Sequence, residues 1–500
     1  MTDLDPSFWL PALTVLSSLL PGVAISALPE ERHRTRTALN LAGALAKLVL
    51  VGVMLLGIER GASYETRLPL VAGLDLVLHA RALPMLFVTL SALLWLLTTV
   101  YAIGYLEGSP NRARFFGAFS VCVSATTGVA LAGSLLTFVV FYELLTLATY
   151  PLVVHRGTPE ALRAGRVYLA YTLGGGALVL VASVWLHALA GPFDFVEGGA
   201  ADLRMIDRGA LTAIFALLIA GLGVKTALVP LHGWLPVAMV APAPVSALLH
   251  AVAVVKAGAF GVVRVVYDVF GIGLCADLGV TRPLALLAAA TILWGSVRAL
   301  HQDELKRRLA YSTVSQVSYV VLGVAVAGPM ATIGGLVHLV HQGLMKITLF
   351  FCAGNLAETL EVHRVSQLRG VGRRMPLTMA AFTVAALGMI GVPPLAGFVS
   401  KWFLGLGAID VGEVWVVPVL VGSSLLNAAY FLPIVRAAWF EEPAGPWPAD
   451  HAPGRLDAPW LLLGPPLVTA ALTLLVGLFA ASPLSPLDWC RLIVLREYGP

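Results

Sequence analysis

Residues 391–403 read GVPPLAGFVSKWF, a stretch in which two prolines and a lysine interrupt a long apolar run. Proline removes a backbone hydrogen-bond donor and bends a helix. A lysine at the centre of a bilayer costs about 2.5–3.5 kcal/mol on insertion scales. Irregular backbone at membrane depth is tolerated only where it is buried in protein or lines water. If the run lies in a membrane, this stretch predicts a broken helix beside a polar cavity.

The composition around this stretch is that of an integral membrane protein. Of the 500 residues, 58% are hydrophobic and 12% are charged, against about 25% charged in soluble domains. The apolar residues form runs of about 18–25 residues, the length that a helix needs to cross about 30 Å of hydrocarbon. We therefore expect an all-α polytopic membrane protein. The net charge of +4 does not indicate nucleic acid binding, because basic residues in such proteins mostly set orientation.

The apolar runs predict about 14 membrane helices and a division of the chain into four parts. The predicted helices are 8–28, 37–57, 83–106, 113–131, 133–154, 165–190, 210–230, 236–267, 283–300, 308–328, 331–355, 376–399, 400–440 (with a bend before it) and 460–482. The parts are N-terminal transmembrane helices at 1–110, a first five-helix repeat at 111–270, a second at 281–440, and a C-terminal loop with the last helix at 441–500.

A second predicted break resembles the first. VPLHGW (229–234) parallels VPPLAGF (392–398), with a proline after a valine and a Gly-aromatic pair further on, and Pro230 and Pro393 stand 163 residues apart. With five helices per unit, an odd number, the second copy faces the opposite way. Inverted repeats with discontinuous helices are a common transporter architecture, and we expect each break to mark a polar cavity.

Basic residues are distributed unevenly between alternate loops. One set of loops, from Arg32 to Arg455, contains 17 of the 32 lysines and arginines, and the other set contains 8. Cytoplasmic loops of membrane proteins carry the excess of basic residues. This predicts a multi-pass protein of the cell inner (plasma) membrane with both termini on the outer, periplasmic side.

Seven basic residues remain inside the predicted helices, and only one acid, Glu143, falls deep in a predicted span. These basic residues are Lys47, Lys225, Lys256, Arg264, Lys346, Lys401 and Arg436. The two arginines lie near helix ends, where long side chains can reach the interface. We expect Glu143 to pair with a lysine, and Lys225 is the natural candidate because both belong to the first unit. Lys47 has no obvious partner, and its role is left open.

The segment after the first break carries two titratable groups. His250 and Lys256 are six residues apart, which places them on different helix faces about 9 Å apart along the axis. Histidine changes charge near neutral pH. We exclude a zinc site because His250 has no second ligand one turn away, and the four cysteines form no metal spacing. Those cysteines are Cys122, Cys275, Cys352 and Cys490.

The second unit repeats this chemistry. His338 and Lys346 are eight residues apart and share a helix face, His341 lies about one turn from His338, and Lys401 closes the series. The preceding predicted helix contributes a polar set that either holds water between the charges or packs helices together. That set is Ser312, Thr313, Ser315, Gln316 and Ser318. The simplest account of the whole series is a hydrated line of titratable groups, which is a proton path.

The same segments resemble a known family. They are FYELLTLATYPLV (141–153), KTALVPLHGWLPVAMVAPAPVSALLHAVAVVKAG (225–258), DELKRRLAYSTVSQVSYVVLG (303–323), HQGLMKITLFFCAGN (341–355) and GVPPLAGFVSKWFL (391–404). Together they resemble the antiporter-like membrane subunits shared by respiratory complex I, Mrp-type multisubunit cation/proton antiporters and membrane-bound hydrogenases.

The resemblance implies two inverted five-helix repeats, each with a broken helix, and a role for each ionisable residue. Glu143 and Lys225 would be the acid–lysine pair, Lys256 with His250 the central relay, and Lys346 and Lys401 the next and terminal lysines. Two positions depart from the family pattern. Tyr142 replaces a common tryptophan, and Gln342 stands where many members have a histidine.

Two features of the sequence resemble different subtypes of the family. The sequence ends after the fourteenth predicted helix without a long lateral helix, which resembles the D-type Mrp subunit, our closest assignment, or the mid-sized complex I subunits. SALLHAVAVVKAG (246–258) is more similar to the larger A-type subunit.

These observations predict a proton-translocating subunit of a multisubunit membrane complex, without cofactor or metal and without chemistry of its own. Its partners would be other integral membrane subunits, the lipid bilayer and protons. One alternative is a module through which Na⁺ or K⁺ also passes. One internal acid argues against it, because hard cations bind several oxygen ligands. Another is a scaffold whose charges only join helices, although five mid-membrane basic groups against one acid argue against it. A lipid-processing enzyme would need paired carboxylates or a nucleophile–base set, and neither is present.

Overall fold

The computed structural model describes residues 6–71, 74–443, 445–452 and 457–499. The first part of the chain forms α1 (Pro6–Ser26), α2 (His33–Glu59), β1 (Tyr64–Val71), β2 (Leu74–Ala80), α3 (Ala82–Tyr105), α4 (Arg112–Leu131), α5 (Leu135–Val153), α6 (Pro159–Ala190), α7 (Arg208–Thr226) and α8 (Trp234–Val237). Local chemistry sets several of these boundaries. Ser134 caps α5 by accepting a hydrogen bond from the Thr137 amide, and Thr158 caps α6 in the same way.

The remaining chain is also helical. A segment at Ala243–Phe270 combines α9 (Ala243–Ala247), a π-helical turn (Leu248–Val252), α10 (Val254–Arg264) and a second π-helical turn (Val265–Phe270). After it come α11 (Ile272–Leu278), α12 (Thr281–Leu300), α13 (Leu305–Ala325), α14 (Pro329–Leu360), α15 (Val371–Arg374), α16 (Pro376–Ile390), α17 (Ala396–Asp410), α18 (Val416–Phe440), α19 (Trp460–Leu478) and α20 (Pro486–Tyr498). Short 3₁₀ turns occupy Ala201–Met205, Ala238–Val240 and Val365–Gln367.

The expected all-α membrane architecture is confirmed. Within the described ranges, twelve helices are long and apolar enough to cross a membrane. The more polar α13 and the discontinuous pair α16–α17 complete the predicted fourteen. Most of the buried apolar side chains form one continuous core through the bundle, so the buried charges lie inside protein and not against lipid.

Both predicted breaks are present, and each is the fourth helix of its five-helix unit. α7 ends at Thr226, and irregular backbone containing Pro230 leads to α8. α16 ends at Ile390, and irregular backbone containing Pro393 leads to α17. Gly391 has a φ of 96°, a left-handed conformation that favours glycine. The division into two repeats stays a prediction, and the matched positions of the breaks agree with it.

Two of the predicted helices have wrong boundaries. The range 400–440 is not one helix, because its first part belongs to α17, the second half of the broken element, and α18 begins only at Val416. Gly412, with a φ of 80°, turns the chain between them. The range 236–267 likewise joins the end of one element to the next, because the chain becomes extended at Ala241 and Pro242 before α9 begins.

The loops gather on two opposite faces, in the alternation that the sequence predicts. On one face, Arg374 pairs with Asp450 at 2.7 Å and an isolated bridge joins Glu304 to Arg364. Arg455, one of the basic residues counted for this set, lies outside the described residues. We call this the Arg36 face, because Arg36 lies near it at the start of α2.

The other face carries two elements that the sequence did not predict. β1 and β2 form an antiparallel hairpin in which Tyr64 lies opposite Ala80. On the same face, α20 packs on α3, where Trp489 donates to the Ala82 carbonyl, and the Arg496 side chain is directed at the Ile58 carbonyl. Thr66 of β1 donates to the Phe8 carbonyl at the start of α1. The first and last described helices therefore have their outer ends on this face, which we call the hairpin face.

A buried ion pair at this side corrects two expectations. Arg264 is 1% exposed and does not reach the interface, because its guanidinium pairs with Asp268 at 2.7 Å. Its other amino group donates to the Ala132 carbonyl at 2.6 Å. Glu143 is therefore not the only acid inside the helical spans. Asp268 was missed because the predicted helix ended at residue 267, whereas the π-helical turn continues the segment to Phe270. Arg436, by contrast, is exposed as expected and lies 3.6 Å from Glu441.

Candidate functional site

The acid and the lysine of the first unit are neighbours without being an ion pair. Lys225, at the end of α7, is fully buried and donates to the backbone carbonyl of Tyr142 on α5. Its amine lies 3.3 Å from the centroid of the Tyr142 ring, which is a cation–π contact. Across the described residues, no carboxylate comes within 4.0 Å of this amine. The expected direct pair with Glu143, the next residue along α5, is therefore open in this structure.

Glu143 lies between α5 and α6 at the periphery of the bundle. A Cβ placed on Gly176 of α6 would stand 1.8 Å from the Glu143 Oε1 atom, so the carboxylate packs directly on that glycine. Oε1 is buried and has no hydrogen-bond partner among the described residues. Val140 and Leu147, on the same side of α5, are 41% and 58% exposed. The carboxylate thus faces outward from the core.

The central groups, His250 and Lys256, both contact α14. The His250 ring stacks on Phe350 with centroids 4.5 Å apart, and the Lys256 amine donates to the Leu339 carbonyl at 2.8 Å. The π-helical turn at Leu248–Val252, which contains His250, changes the helical register ahead of Lys256. The helix therefore presents both groups to one neighbour at two depths.

Close backbone contact joins the first lysine to the second. A Cβ on Gly258, two residues after Lys256, would lie 2.4 Å from the Thr226 amide nitrogen. Thr226 follows Lys225 directly. Only a glycine lets the two backbones approach so closely, and this contact brings the two lysine-bearing segments together.

Lys346 and His338 lie on the same helix, α14, and contact different neighbours. The Lys346 amine donates to the Ser312 hydroxyl and, at 3.1 Å, to the Leu309 carbonyl, both on α13. His338 Nδ1 lies 2.7 Å from the Ser400 hydroxyl on α17. α14 therefore connects the polar side of α13 to the second broken element.

The terminal lysine sits in the second break, which contains Pro393. The Lys401 amine donates to the Met389 and Ile390 carbonyls at 2.9 and 2.8 Å and to the Ser424 hydroxyl at 2.9 Å. These carbonyls belong to the last turn of α16, where they have no helical partners. The break at Pro393 leaves these carbonyls without helical hydrogen bonds, and the Lys401 amine donates hydrogen bonds to them. This arrangement explains why a helix breaker and a charge occur together.

An aromatic side chain bridges the last two titratable groups. The Tyr319 ring lies 5.0 Å from the His338 ring and 5.5 Å from the Lys401 amine. The Tyr319 hydroxyl is buried and has no partner within the described part of the chain. Sequence reasoning missed Tyr319, Ser400 and Ser424. The first two could have been found from their position, one helix turn after Gln316 and one residue before Lys401.

The polar side chains of α13 make different kinds of contact. Ser312 receives the Lys346 amine and donates to Leu309. Ser315 bonds Ser296 of α12 at 2.8 Å, and Thr313 donates to its own helix, which are packing roles. Both side-chain polar atoms of Gln316 are buried without a partner in the described residues.

Several buried polar atoms along this line have no hydrogen-bond partner among the residues that the structure describes. Buried polar groups are normally bonded to protein or to ordered water. Within the described chain, the unpartnered atoms include both ring nitrogens of His250 and of His341, Nε2 of His338, the Tyr319 hydroxyl, and both side-chain polar atoms of Gln316 and Gln342. Their number along one route indicates sites for internal water.

Comparisons with known proteins agree with this architecture. The sequence profile described as "NADH:quinone oxidoreductase/Mrp antiporter, TM" matches residues 132–427. The chain is 36% identical over 488 residues to the N subunit of the NADH-quinone oxidoreductase of Desulforudis audaxviator, covering 94% of this chain and 96% of that protein. It is 30% identical over 406 residues to the D subunit of the Na(+)/H(+) antiporter of Bacillus subtilis, covering 81% and 80%.

Solved structures share the fold. A chain of the Mrp complex from Dietzia sp. DQ12-45-1b superposes with a TM-score of 0.87 at 23% identity, covering 100% of this chain and 98% of that one. A chain of respiratory complex I from Thermus thermophilus superposes with a TM-score of 0.81 at 24% identity, covering 97% and 99%. The matched profile covers more than half of the sequence, and the broken helices with their lysines lie inside it. The chain belongs to the NADH:quinone oxidoreductase/Mrp antiporter transmembrane family.

Proposed function

We propose that this chain is a proton-translocating subunit of a larger membrane complex. The observation that carries the proposal is the continuity of titratable groups from Lys225 through Lys256 and His338 to Lys401. Each of these groups is at least nine-tenths buried. Buried groups that can bind and release a proton, with room for water between them, are what proton transfer across a bilayer needs.

The absence of counter-ions supports conduction over a scaffold role. Within the described ranges, no carboxylate lies within 4.0 Å of the amines of Lys256, Lys346 or Lys401, which bond carbonyls and hydroxyls. Arg264, by contrast, has its own carboxylate and makes a balanced pair. A residue that only joins helices is best served by such a pair, whereas a lysine bonded to neutral groups can exist in both protonation states.

The position of Glu143 supports coupling to a neighbouring subunit. A carboxylate at the periphery of a membrane bundle is costly against lipid, so a second integral subunit is the partner we expect on the α5–α6 surface. A rearrangement there would move the carboxylate relative to Lys225. As the carboxylate withdraws, the lysine loses its stabilising charge and passes its proton toward Lys256. The transfer then continues by His338 to Lys401, with Lys346 on α14 and His250 on the facing segment as side groups.

The proposed orientation places the Arg36 face in the cytoplasm and both termini outside, in the cell inner membrane. The excess of basic residues in the loops of the Arg36 face supports it. Partner subunits would supply the driving reaction, whether redox chemistry or an ion gradient.

The second candidate function is a cation/proton antiporter module in which Na⁺ or K⁺ also passes through this chain. The similarity to the D subunit of a Na(+)/H(+) antiporter favours it. Against it, hard cations take six or more oxygen ligands, and the second acid in a span, Asp268, is already paired with Arg264.

The test is ion flux in vesicles that contain the complete complex. Wild type is compared with Lys401→Ala and Glu143→Gln, with assembly measured in each preparation. We expect both variants to assemble and to lose proton movement. Unchanged proton flux in both would place the path in a partner subunit. Sodium or potassium flux that is lost together with proton flux would favour the antiporter alternative.

A further inference from the structure

A second buried polar cluster lies in the first four helices, away from the proposed path. Its centre is Lys47 on α2, which is fully buried. The Lys47 amine donates to the Ser18 hydroxyl on α1 at 2.8 Å and to the Thr127 hydroxyl on α4 at 2.7 Å. It also lies 5.2 Å from the Trp95 ring centroid on α3. Each of the four helices thus contributes one group.

The amine has no ionic partner in this cluster. Within the described residues, no carboxylate approaches it within 4.0 Å, and its two hydrogen bonds go to neutral hydroxyls. Keeping an unpaired cation in the membrane interior is costly, so a purely structural role would be better served by a neutral side chain. Lys47 therefore resembles Lys256 and Lys346 in its surroundings, and not the paired Arg264.

The buried residues of α2 form a stripe along the helix. This stripe is polar between Lys47 and the Arg36 face, and apolar between Lys47 and the hairpin face. Toward the Arg36 face it carries Asn40 and Arg36, and toward the hairpin face it carries Val51 and Met54. Eleven residues separate Arg36 from Lys47, a rise of about 16 Å. The polar part of the stripe thus spans about half of a 30 Å hydrocarbon layer and stops at the lysine.

Side chains of α1 and α4 continue this polar line. Ser18, which receives the Lys47 amine, donates to the Val15 carbonyl at 3.3 Å, and Ser124 of α4 donates to the same carbonyl at 3.0 Å. On α4, one turn closer to the Arg36 face than Ser124, Ser120 donates to Asn40 Oδ1 at 2.9 Å. The remaining gaps are single helix turns of about 6 Å, a distance that one bridging water can span.

Unpartnered polar atoms mark where such water would bind. Asn40 Nδ2, Trp95 Nε1 and Thr99 Oγ1 are buried and lack partners within the described chain. Asn40 and Thr99 are fully buried, as is Trp95. Since α3 runs antiparallel to α2, Thr99 lies on the Arg36 side of Trp95. The three donors therefore line the same half of the bundle as the polar stripe.

The outer end of the line has an acid exposed to solvent. Arg36 lies 3.8 Å from Glu30, whose side chain is 46% exposed. The Glu30 carboxylate also accepts hydrogen bonds from the Arg112 and Ala113 amides at the start of α4, at 3.1 and 3.0 Å. A carboxylate held at the mouth of a polar line can take protons from the aqueous phase.

The inner end approaches the proposed path through α4 and α5. Thr126, beside Thr127, donates to the Cys122 carbonyl at 2.9 Å, and Cys122 Sγ lies 3.3 Å from Thr149 Oγ1 on α5. One turn back along α5, Thr146 donates to the Tyr142 carbonyl at 3.4 Å, the same oxygen that receives the Lys225 amine.

We propose that Lys47 is a proton-binding site at the inner end of a hydrated half-channel that opens on the Arg36 face. Its amine binds a proton arriving from that face and releases it toward Lys225. The inference rests on the proposed proton-conducting function and adds an entry route through the N-terminal helices.

Two variants of Lys47 separate proton exchange from helix joining. Lys47→Arg keeps the charge and the hydrogen-bond donors, but arginine does not release its proton. Lys47→Met keeps the length and removes the proton site. We expect both to lower proton flux in vesicles at least about tenfold with assembly unchanged. Wild-type flux in assembled Lys47→Arg would overturn the proposal.

Labelling tests the half-channel independently of transport. Asn40→Cys and Met54→Cys, both on the buried stripe of α2, are exposed in the complete complex to a membrane-impermeant thiol reagent from each face. The four native cysteines are buried, so the unchanged protein is the control. We expect Asn40→Cys to react from the Arg36 face only and Met54→Cys from neither. Failure of Asn40→Cys to react from the Arg36 face would overturn the proposal even if a Lys47 variant does not assemble.

Lys401→Ala in the same vesicles separates the two proposals. If it abolishes flux while the Lys47 variants do not, the proposed function stands and the half-channel is wrong. If Lys401→Ala has no effect, the proposed function fails first, and the labelling alone decides whether water reaches Asn40.

Discussion

The Lys256 amine on α10 donates a 2.8 Å hydrogen bond to the Leu339 carbonyl on α14, one residue after His338. This contact joins the last helical segment of the first predicted unit to the third helix of the second. Because the acceptor is a neutral backbone oxygen, the lysine can hold or release its proton without leaving a carboxylate unpaired. In the proposed path, Lys256 is the group through which the proton passes from the first unit to the second.

Replacing Lys256 is expected to stop proton movement. Lys256→Met preserves volume and removes the titratable group, so flux in vesicles carrying the complete complex should fall at least about a hundredfold. Arg436→Ala is the matched control, because that basic side chain is 77% exposed and paired with Glu441. Equal flux in the two variants would contradict the central role of Lys256.

Gly176 is expected to control the position of Glu143. A methyl group at residue 176 would collide with the carboxylate at 1.8 Å, whereas a methyl group at Gly174 meets no atom within 4 Å. Alanine favours a helix more than glycine does, so neither change should unfold α6. We expect Gly176→Ala to lower coupled proton flux several-fold and Gly174→Ala to leave it unchanged. Identical behaviour of the two variants would mean that the carboxylate position does not matter.

The Tyr142 ring is expected to hold Lys225 in its open position. The amine lies 3.3 Å from the ring centroid, and such contacts contribute about 2 kcal/mol when desolvated. Tyr142→Phe keeps the ring and should transport nearly as wild type, whereas Tyr142→Leu should lower flux about tenfold. The measurement is initial proton flux at matched subunit content, and a large loss in Tyr142→Phe would instead assign the role to the hydroxyl.

The Arg264–Asp268 pair is expected to support stability. Asp268→Ala leaves a guanidinium buried without its carboxylate, which costs about 3–5 kcal/mol. The double change Arg264→Met with Asp268→Leu should recover most of this loss. Thermal unfolding of the purified complex measures both. The control is Asp277→Ala, which removes the ionic partner of Arg204 at the surface, where the Asp277 and Arg204 side chains are 55% and 61% exposed. This change should lower the free energy of unfolding by less than about 1 kcal/mol.

Docking of α20 on the hairpin face is expected to weaken as the pH rises from 4.5 to about 8. Burial, with Asp268 nearby, raises the pKa of Glu497 from 4.5 to about 8, although the Gly198 amide donates to it. An acid with a raised pKa holds its proton more tightly when docked, so the docking free energy is largest below pH 4.5 and falls as pH rises toward 8. Proteolysis of the C-terminal segment should therefore speed up over this range. Glu497→Gln should remove the dependence, and Asp488→Asn, an exposed change on the same helix, should not.

Much of the architecture could be predicted because it follows from local chemistry. The length of an apolar run determines whether a helix can cross the bilayer. Proline alone does not break such a run, because Pro151 and Pro433 lie inside continuous helices, and the two breaks could be predicted from proline followed by a Gly-aromatic pair. The hairpin and α20 escaped prediction because their short, mixed segments are stabilised by contacts with distant parts of the chain, such as the one between Thr66 and Phe8.

The sequence by itself determined the class of protein, the two broken helices and the burial of the five mid-membrane lysines, since each depends on a few neighbouring residues and the cost of placing charge in lipid. Only the tertiary structure decided what each buried charge contacts. Lys225 meets the Tyr142 carbonyl 83 residues away, Lys47 meets Thr127 80 residues away, and Arg264 meets an acid in its own helix. Such partners depend on how helices pack and on a single π-helical turn, and no local pattern in the chain encodes either.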